Sequence, residues 1–158
     1  LSLTGTKLGY RKFHKLFLDR SEKVMASYSS PLPHTKEAVK LLTEKGKKLG
    51  IVSSKNRTMI EKILDKFELL NYFQVIVGEE DVQLGKPHSE GIDKAVYMTG
   101  ESKDRTVYIG AEFARNAGVS FIPVFSGTND LNDFSHLLSS CIVYSENQVL
   151  IDLARSIE

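Results

Sequence analysis

Leu49-Gly50-Ile51-Val52-Ser53-Ser54-Lys55-Asn56 is the stretch that decides the fold. An apolar run stops abruptly at two hydroxyls, and Met59, Ile60, Ile63, Leu64 and Phe67 then recur at helical spacing. This is a strand, a turn and an amphipathic helix. The same alternation continues downstream: strand over residues 73–77, helix over 90–98, strands over 106–109 and 121–125, helix over 131–138, strand over 141–144 and a final helix over 149–157. Short apolar strands alternating with amphipathic helices predict a parallel sheet covered on both faces. Upstream, Thr35 is placed to N-cap a helix whose apolar face is Ala38, Val39, Leu41 and Leu42, and Gly46 ends it. Before the break at Ser29-Ser30-Pro31-Leu32-Pro33, residues 10–28 read as a helix, with Phe13, Leu16, Phe17, Val24 and Tyr28 largely at 3–4 spacing.

The bulk composition fits such a domain. The 158 residues are 41% hydrophobic and 26% charged, with 21 basic and 20 acidic side chains and a net charge of +1. That balance suits a globular chain with a sizeable core and gives no footing for nucleic acid or an anionic membrane. No run approaches the roughly 20 apolar residues a spanning helix needs, and no signal peptide is visible, so the expected compartment is the cytoplasm. Cys141, the single cysteine, has no internal disulfide partner and sits in an apolar run, which predicts a buried thiol. The chain opens on Leu1, as a fragment, a processed product or a trimmed chain would.

In parallel sheets of this kind ligands sit outside the carboxyl ends of the strands, so the residues just after each strand carry the chemistry. Ser53 and Ser54 can offer hydroxyls and turn N–H groups to a phosphate oxygen, or can simply cap the next helix. Gly85-Lys86-Pro87 aims one ammonium, a charge without sequence specificity, from a shaped turn. His88 stands before a helix and reads as part of its start. Glu112, after Tyr108-Ile109-Gly110-Ala111, can ligate Mg²⁺ or serve as a first-turn helix acid.

In this order and spacing, these segments resemble the haloacid dehalogenase (HAD) superfamily, in particular its phosphoglycolate-phosphatase-like branch. Leu49 to Lys55 looks like the second motif, Gly85-Lys86-Pro87 with Ala95 like the third, and Tyr108-Ile109-Gly110 with Ala117-Gly118-Val119 like the frame of the fourth. Asn71-Tyr72-Phe73 before a strand is also typical of the branch. The resemblance implies a three-layer α/β sandwich with a Rossmann-like parallel sheet over residues 31–158, and a partial helical cap remnant over residues 1–30. It implies Mg²⁺-dependent hydrolysis of a small phosphorylated metabolite through an aspartyl-phosphate. Ser53, with Ser54 beside it, would bind phosphate, Lys86 would stabilise its charge, and Glu112 is the candidate metal ligand.

The sequence also departs from that pattern. The family's first motif, Asp-x-Asp-Gly-Thr, which carries the nucleophile, is absent. Ser2-Leu3-Thr4-Gly5-Thr6 has neither Asp, and Asp19 lies in a helical pattern without a glycine turn, as a solvated acid would. Ala111 stands where the fourth motif has Asp, and the following loop is short. In the family the first-motif strand is central, so its absence deprives two strands of backbone partners. A preceding segment, the N-terminus or a second chain would have to fill that place. Two functions therefore stand side by side: a phosphatase whose nucleophile lies elsewhere, and a HAD fold without catalysis that binds or regulates.

Overall fold

The computed structural model describes residues 9–110, 116–123 and 149–156. The chain divides into two compact units, Leu1–Ser30 and Pro31–Glu158. The first holds α1, Tyr10–Tyr28. Phe13 and Phe17, one turn apart, stack with ring centroids 6.4 Å apart. With Leu16 and Val24 they form an exposed apolar stripe along the helix. Asp19 is exposed on α1, and residues 2–6 lie outside the described residues. Among the described residues, no helix is long and apolar enough to cross a membrane.

The second unit runs α2 (Thr35–Glu44), β1 (Gly50–Val52), α3 (Arg57–Lys66), β2 (Val75–Val77), α4 (Glu90–Thr99), β3 (Val107–Gly110), β4 (Ser120–Pro123) and α5 (Val149–Ser156). Two expectations shift slightly. Thr35 is the first helical residue of α2, not its cap; the preceding position belongs to His34, at φ 62°, whose carbonyl accepts from Ala38 N–H at 2.9 Å. The second strand begins only at Val75, because Leu70–Tyr72 winds into a 3₁₀ turn. Val124, Phe125, the helix expected over 131–138, the strand over 141–144 and Cys141 lie outside the described residues.

All described strand pairs are parallel. β1 pairs with β2, Ile51 opposite Ile76, and β3 pairs with β4, Tyr108 opposite Phe121. Among the described residues the two pairs are separate two-stranded sheets rather than one.

Successive strand side chains point to opposite faces, and the core follows that alternation. Ile51 and Ile76 pack with Val39 of α2 and with Ile60 and Leu64 of α3. Val52, Val75 and Val77 turn the other way, onto Ala95 of α4. Ile92 and Val96 of α4 also meet Tyr108 and Phe121, so one helix lies under both strand pairs. Ala38 and Leu42 of α2 close on Ile151 and Ala154 of α5. Each fully buried Ile or Val contributes about 1.5–3 kcal/mol relative to exposure, so these contacts rather than propensity hold the short helices.

Gly91 sets how closely α4 can approach β1. A Cβ there would lie 2.7 Å from Cγ1 of Val52. The turns beyond β1 and β2 are tied together by Asp81. Its carboxylate accepts from Gly78 N–H at 2.8 Å and from the Arg57 guanidinium at 2.8 Å, and Lys94 donates to its carbonyl at 2.6 Å. Glu80 accepts from Arg57 N–H at 2.9 Å, and Lys55 O from Glu79 N–H at 3.1 Å. Burial alone would raise the Asp81 pKa. The Gly78 N–H, the Arg57 guanidinium and the Lys94 ammonium outweigh it and hold the carboxyl below its ordinary value of 3.8.

Two outcomes are expected in thermal unfolding. Gly91→Ala should destabilise, because overpacking of about 1–3 kcal/mol exceeds the helix-propensity gain of about 1 kcal/mol. Adding Val52→Ala should recover part of that loss; strict additivity of the two changes would contradict the close contact. Asp81→Asn should cost about 1–3 kcal/mol near pH 7. Since the folded pKa lies below the unfolded one, the wild-type advantage should be complete above the unfolded value and vanish as pH falls through the folded value. A difference that persists in strong acid would show that the charge is not its source.

Candidate functional site

The site lies at the carboxyl ends of β1 and β2. Ser53 follows β1 directly and extends its pairing by one bond, donating N–H to Val77 O at 3.0 Å. Its Oγ accepts from Lys55 N–H at 3.1 Å, which folds the chain into a tight turn. Capping of α3 falls to Asn56, in extended backbone with φ −66° and ψ 154°, whose Oδ1 accepts from Met59 N–H at 2.8 Å. The ordinary reason for serines before a helix therefore does not apply to Ser53 and Ser54.

Lys86 is presented by a braced turn. The Glu90 carboxylate accepts from the N–H groups of Gln83 at 2.9 Å and Leu84 at 2.8 Å, and His88 donates N–H to Gly85 O at 3.0 Å. The Lys86–Pro87 peptide is cis. The Lys86 side chain turns back over the sheet ends. Its ammonium donates to Val52 O at 3.0 Å and to the Tyr108 hydroxyl at 3.2 Å, and it lies 5.8 Å from the centre of the Tyr108 ring. Although the residue as a whole is exposed, desolvation at the ammonium, then the nearby Lys55 charge, lowers its pKa below 10.5. Burial likewise pushes the Tyr108 hydroxyl up to about 12, so it stays protonated.

Gly110 makes room for that tyrosine. At φ 152°, a Cβ there would meet Cε1 of Tyr108 at 2.8 Å and its hydroxyl at 3.2 Å. In the sequence Gly110 stood only as the last residue of the Tyr108-Ile109-Gly110 frame. What it admits here is the side chain two residues earlier on its own strand.

Ser53, Ser54 and Lys86 line one cavity of about 180 Å³, together with Gly78, Glu79 and His88. The structure thus brings together three of the four residues singled out from sequence. The fourth, Glu112, lies outside the described residues, as does Ala111. His88 lines the same cavity, but its Nδ1 accepts from Glu90 N–H at 3.2 Å, in keeping with a place at the helix start. Sequence reasoning did not find Tyr108, Asn56 or Glu90; only Asn56 carried a signal, being itself a favoured capping residue.

Two hydroxyls, turn N–H groups and an ammonium can hold the oxygens of a phosphate. The described residues do not fit a magnesium site. Among them no three His, Cys, Asp or Glu side chains converge, and Glu79 is the only acid lining the cavity.

Comparison with known proteins agrees with this geometry. The family model for haloacid dehalogenase-like hydrolases matches residues 4–124. Pyrophosphatase PpaX of Halalkalibacterium halodurans is 34% identical over 123 residues, which cover 68% of this chain and 57% of that protein. Phosphoglycolate phosphatase of Salmonella choleraesuis is 25% identical over 147 residues, covering 90% of this chain and 55% of that protein. The chain thus spans about half the length of the curated relatives it matches. A crystal structure assigned as a haloacid dehalogenase-like hydrolase of Bacteroides fragilis superposes with a TM-score of 0.77 at 26% identity, over 96% of this chain and 73% of that one. By sequence and by fold, this chain belongs to the haloacid dehalogenase-like hydrolase family.

Proposed function

We propose that this chain is the phosphate-holding part of a hydrolase acting on small phosphorylated metabolites, of the phosphoglycolate-phosphatase or pyrophosphatase kind. The observation that carries this reading is the convergence of Ser53, Ser54 and Lys86 on one cavity at the strand ends. Ser53 and Ser54 would take phosphate oxygens through hydroxyl and turn N–H groups. Lys86, held by Val52 O and Tyr108, would offset the charge of the transferring group. In this reading residues 31–158 are the three-layer, Rossmann-like core and residues 1–30 the remnant of a helical cap. A magnesium requirement is part of the reading through the family, whose members typically use Mg²⁺, and Glu112 is the candidate ligand in this chain.

A second reading, a catalytically silent HAD fold that binds phosphorylated ligands, is favoured by one observation. Among the described residues, Glu79 is the only acid lining the cavity, and no aspartate stands among those that line it. Turnover separates the two.

Inorganic phosphate titrated into the chain should bind, and Lys86→Ala should weaken it about 10-fold or more, the usual value of a charge-assisted hydrogen bond. Affinity in the wild type should fall as pH rises through a point below 10.5, where Lys86 loses its proton. Unchanged affinity in the Lys86 variant would remove the site. Hydrolysis of an aryl phosphate with and without Mg²⁺ then decides the rest: Mg²⁺-dependent turnover supports the hydrolase, whereas binding without turnover supports the silent fold.

A further inference from the structure

His88 spends one ring nitrogen at the start of α4 and has a second for the cavity. Its Nδ1 accepts from Glu90 N–H at 3.2 Å. A backbone N–H can only donate, so Nδ1 supplies the lone pair and the ring proton sits on Nε2. Nε2 has no hydrogen-bond partner among the described residues. The turn fixes the backbone beneath the ring, since His88 N–H donates to Gly85 O at 3.0 Å. His88 therefore lines the cavity of Ser53, Ser54 and Lys86 with one positioned, unspent donor.

Much of the cavity's main chain is already committed. The Ser53 N–H goes to Val77 O, that of Gly78 to Asp81, that of Glu79 to Lys55 O and that of Leu84 to Glu90. The side-chain donors that line the cavity are the Ser53 and Ser54 hydroxyls from the side of β1, and Lys86 and His88 from the loop. A phosphoryl group held by Ser53, Ser54 and Lys86 engages three of the four. Charge alone does not hold a second anionic group there, because the Glu79 carboxylate lines the same cavity and offsets Lys86. Such a group needs a directed hydrogen bond, and the His88 N–H supplies one.

Resting on the phosphate site above, we propose that His88 is a specificity-determining residue: its Nε2–H takes a second oxyanion of the ligand whose first phosphoryl group sits at Ser53, Ser54 and Lys86. That second group is a carboxylate or another phosphoryl group. Both have to fit one cavity of about 180 Å³, which suits a compact ligand with its two anionic groups close together. Lys86 and His88 stand two residues apart on one turn, braced by the Glu90 carboxylate. A donor held this way loses little freedom when the ligand arrives. A phosphate ester of a neutral alcohol leaves Nε2 unused, so His88 separates ligands by what the phosphate is attached to.

The test is calorimetric titration of the whole chain, without Mg²⁺, with methyl phosphate, 2-phosphoglycolate and inorganic pyrophosphate. His88→Asn keeps an acceptor for Glu90 N–H and loses the far nitrogen, whereas His88→Gln places an amide N–H near that far position. His88→Asn should weaken one or both of the two-anion probes about 10-fold, the value of a hydrogen bond to a charged group, and leave methyl phosphate within about twofold. His88→Gln should recover much of that loss. A loss confined to 2-phosphoglycolate assigns the second group as a carboxylate, and one confined to pyrophosphate as a phosphoryl group. Unchanged ratios among the three probes in His88→Asn, whether all affinities fall together or none does, overturn the proposal while the phosphate site stands. Methyl phosphate that does not bind, or that binds Lys86→Ala as well as the wild type, removes the phosphate site and the proposal with it.

Discussion

One helix lying under two strand pairs is the constraint on which the rest of the second unit depends. Ala95 of α4 closes on the β1–β2 face, and Ile92 and Val96 meet Tyr108 and Phe121 of the β3–β4 pair. Gly91 lets the first turn of that helix come within contact of Val52. Among the described residues the two pairs share no ladder, and α4 packs against both. The site inherits that arrangement. Lys86 enters from the loop leading into α4 and touches both β1 and β3.

The turns of the site are held by charged groups that bind backbone rather than by apolar packing. Asp81 and Glu80 tie the turn after β2 to the start of α3, and Glu90 ties the Lys86 loop to the start of α4. The Asp81 and Glu90 carboxylates accept main-chain N–H groups, which lowers the pKa of both. The proposed phosphate cradle is thus built from loops, each braced against a helix terminus whose dipole favours the same charge.

Much of this architecture was legible in the sequence, because periodicity reports burial. The apolar run ending at Val52 and the Met59-Ile60-Ile63-Leu64 face had one consistent solution, and α3 and β1 sit where that solution puts them. Ser53 and Lys86 were singled out for a different reason, their place in the turns beyond parallel strands, and both line one cavity. Other residues were not. Asn56 rather than Ser53 or Ser54 caps α3, a choice settled by one backbone angle in a run where several residues can cap. Tyr108 looked like a core strand residue, and its contact with Lys86 joins positions 22 apart in the chain. The separation of the two strand pairs among the described residues had no signal in the periodicity, which reports strands but not which of them pair.

Strand edges that are unpaired among the described residues also have a colloidal side. An exposed strand edge is a template for any other extended chain, including another copy of itself, and proteins blunt such edges with short strands and lysines. β1 is three residues long and follows Lys47 and Lys48, which line a cavity together with Gly50, Val52, Val107 and Tyr108. Charge at that edge works against fibrous self-association, and Lys48 also ties the start of β1 to α4, donating to Thr99 O at 2.8 Å.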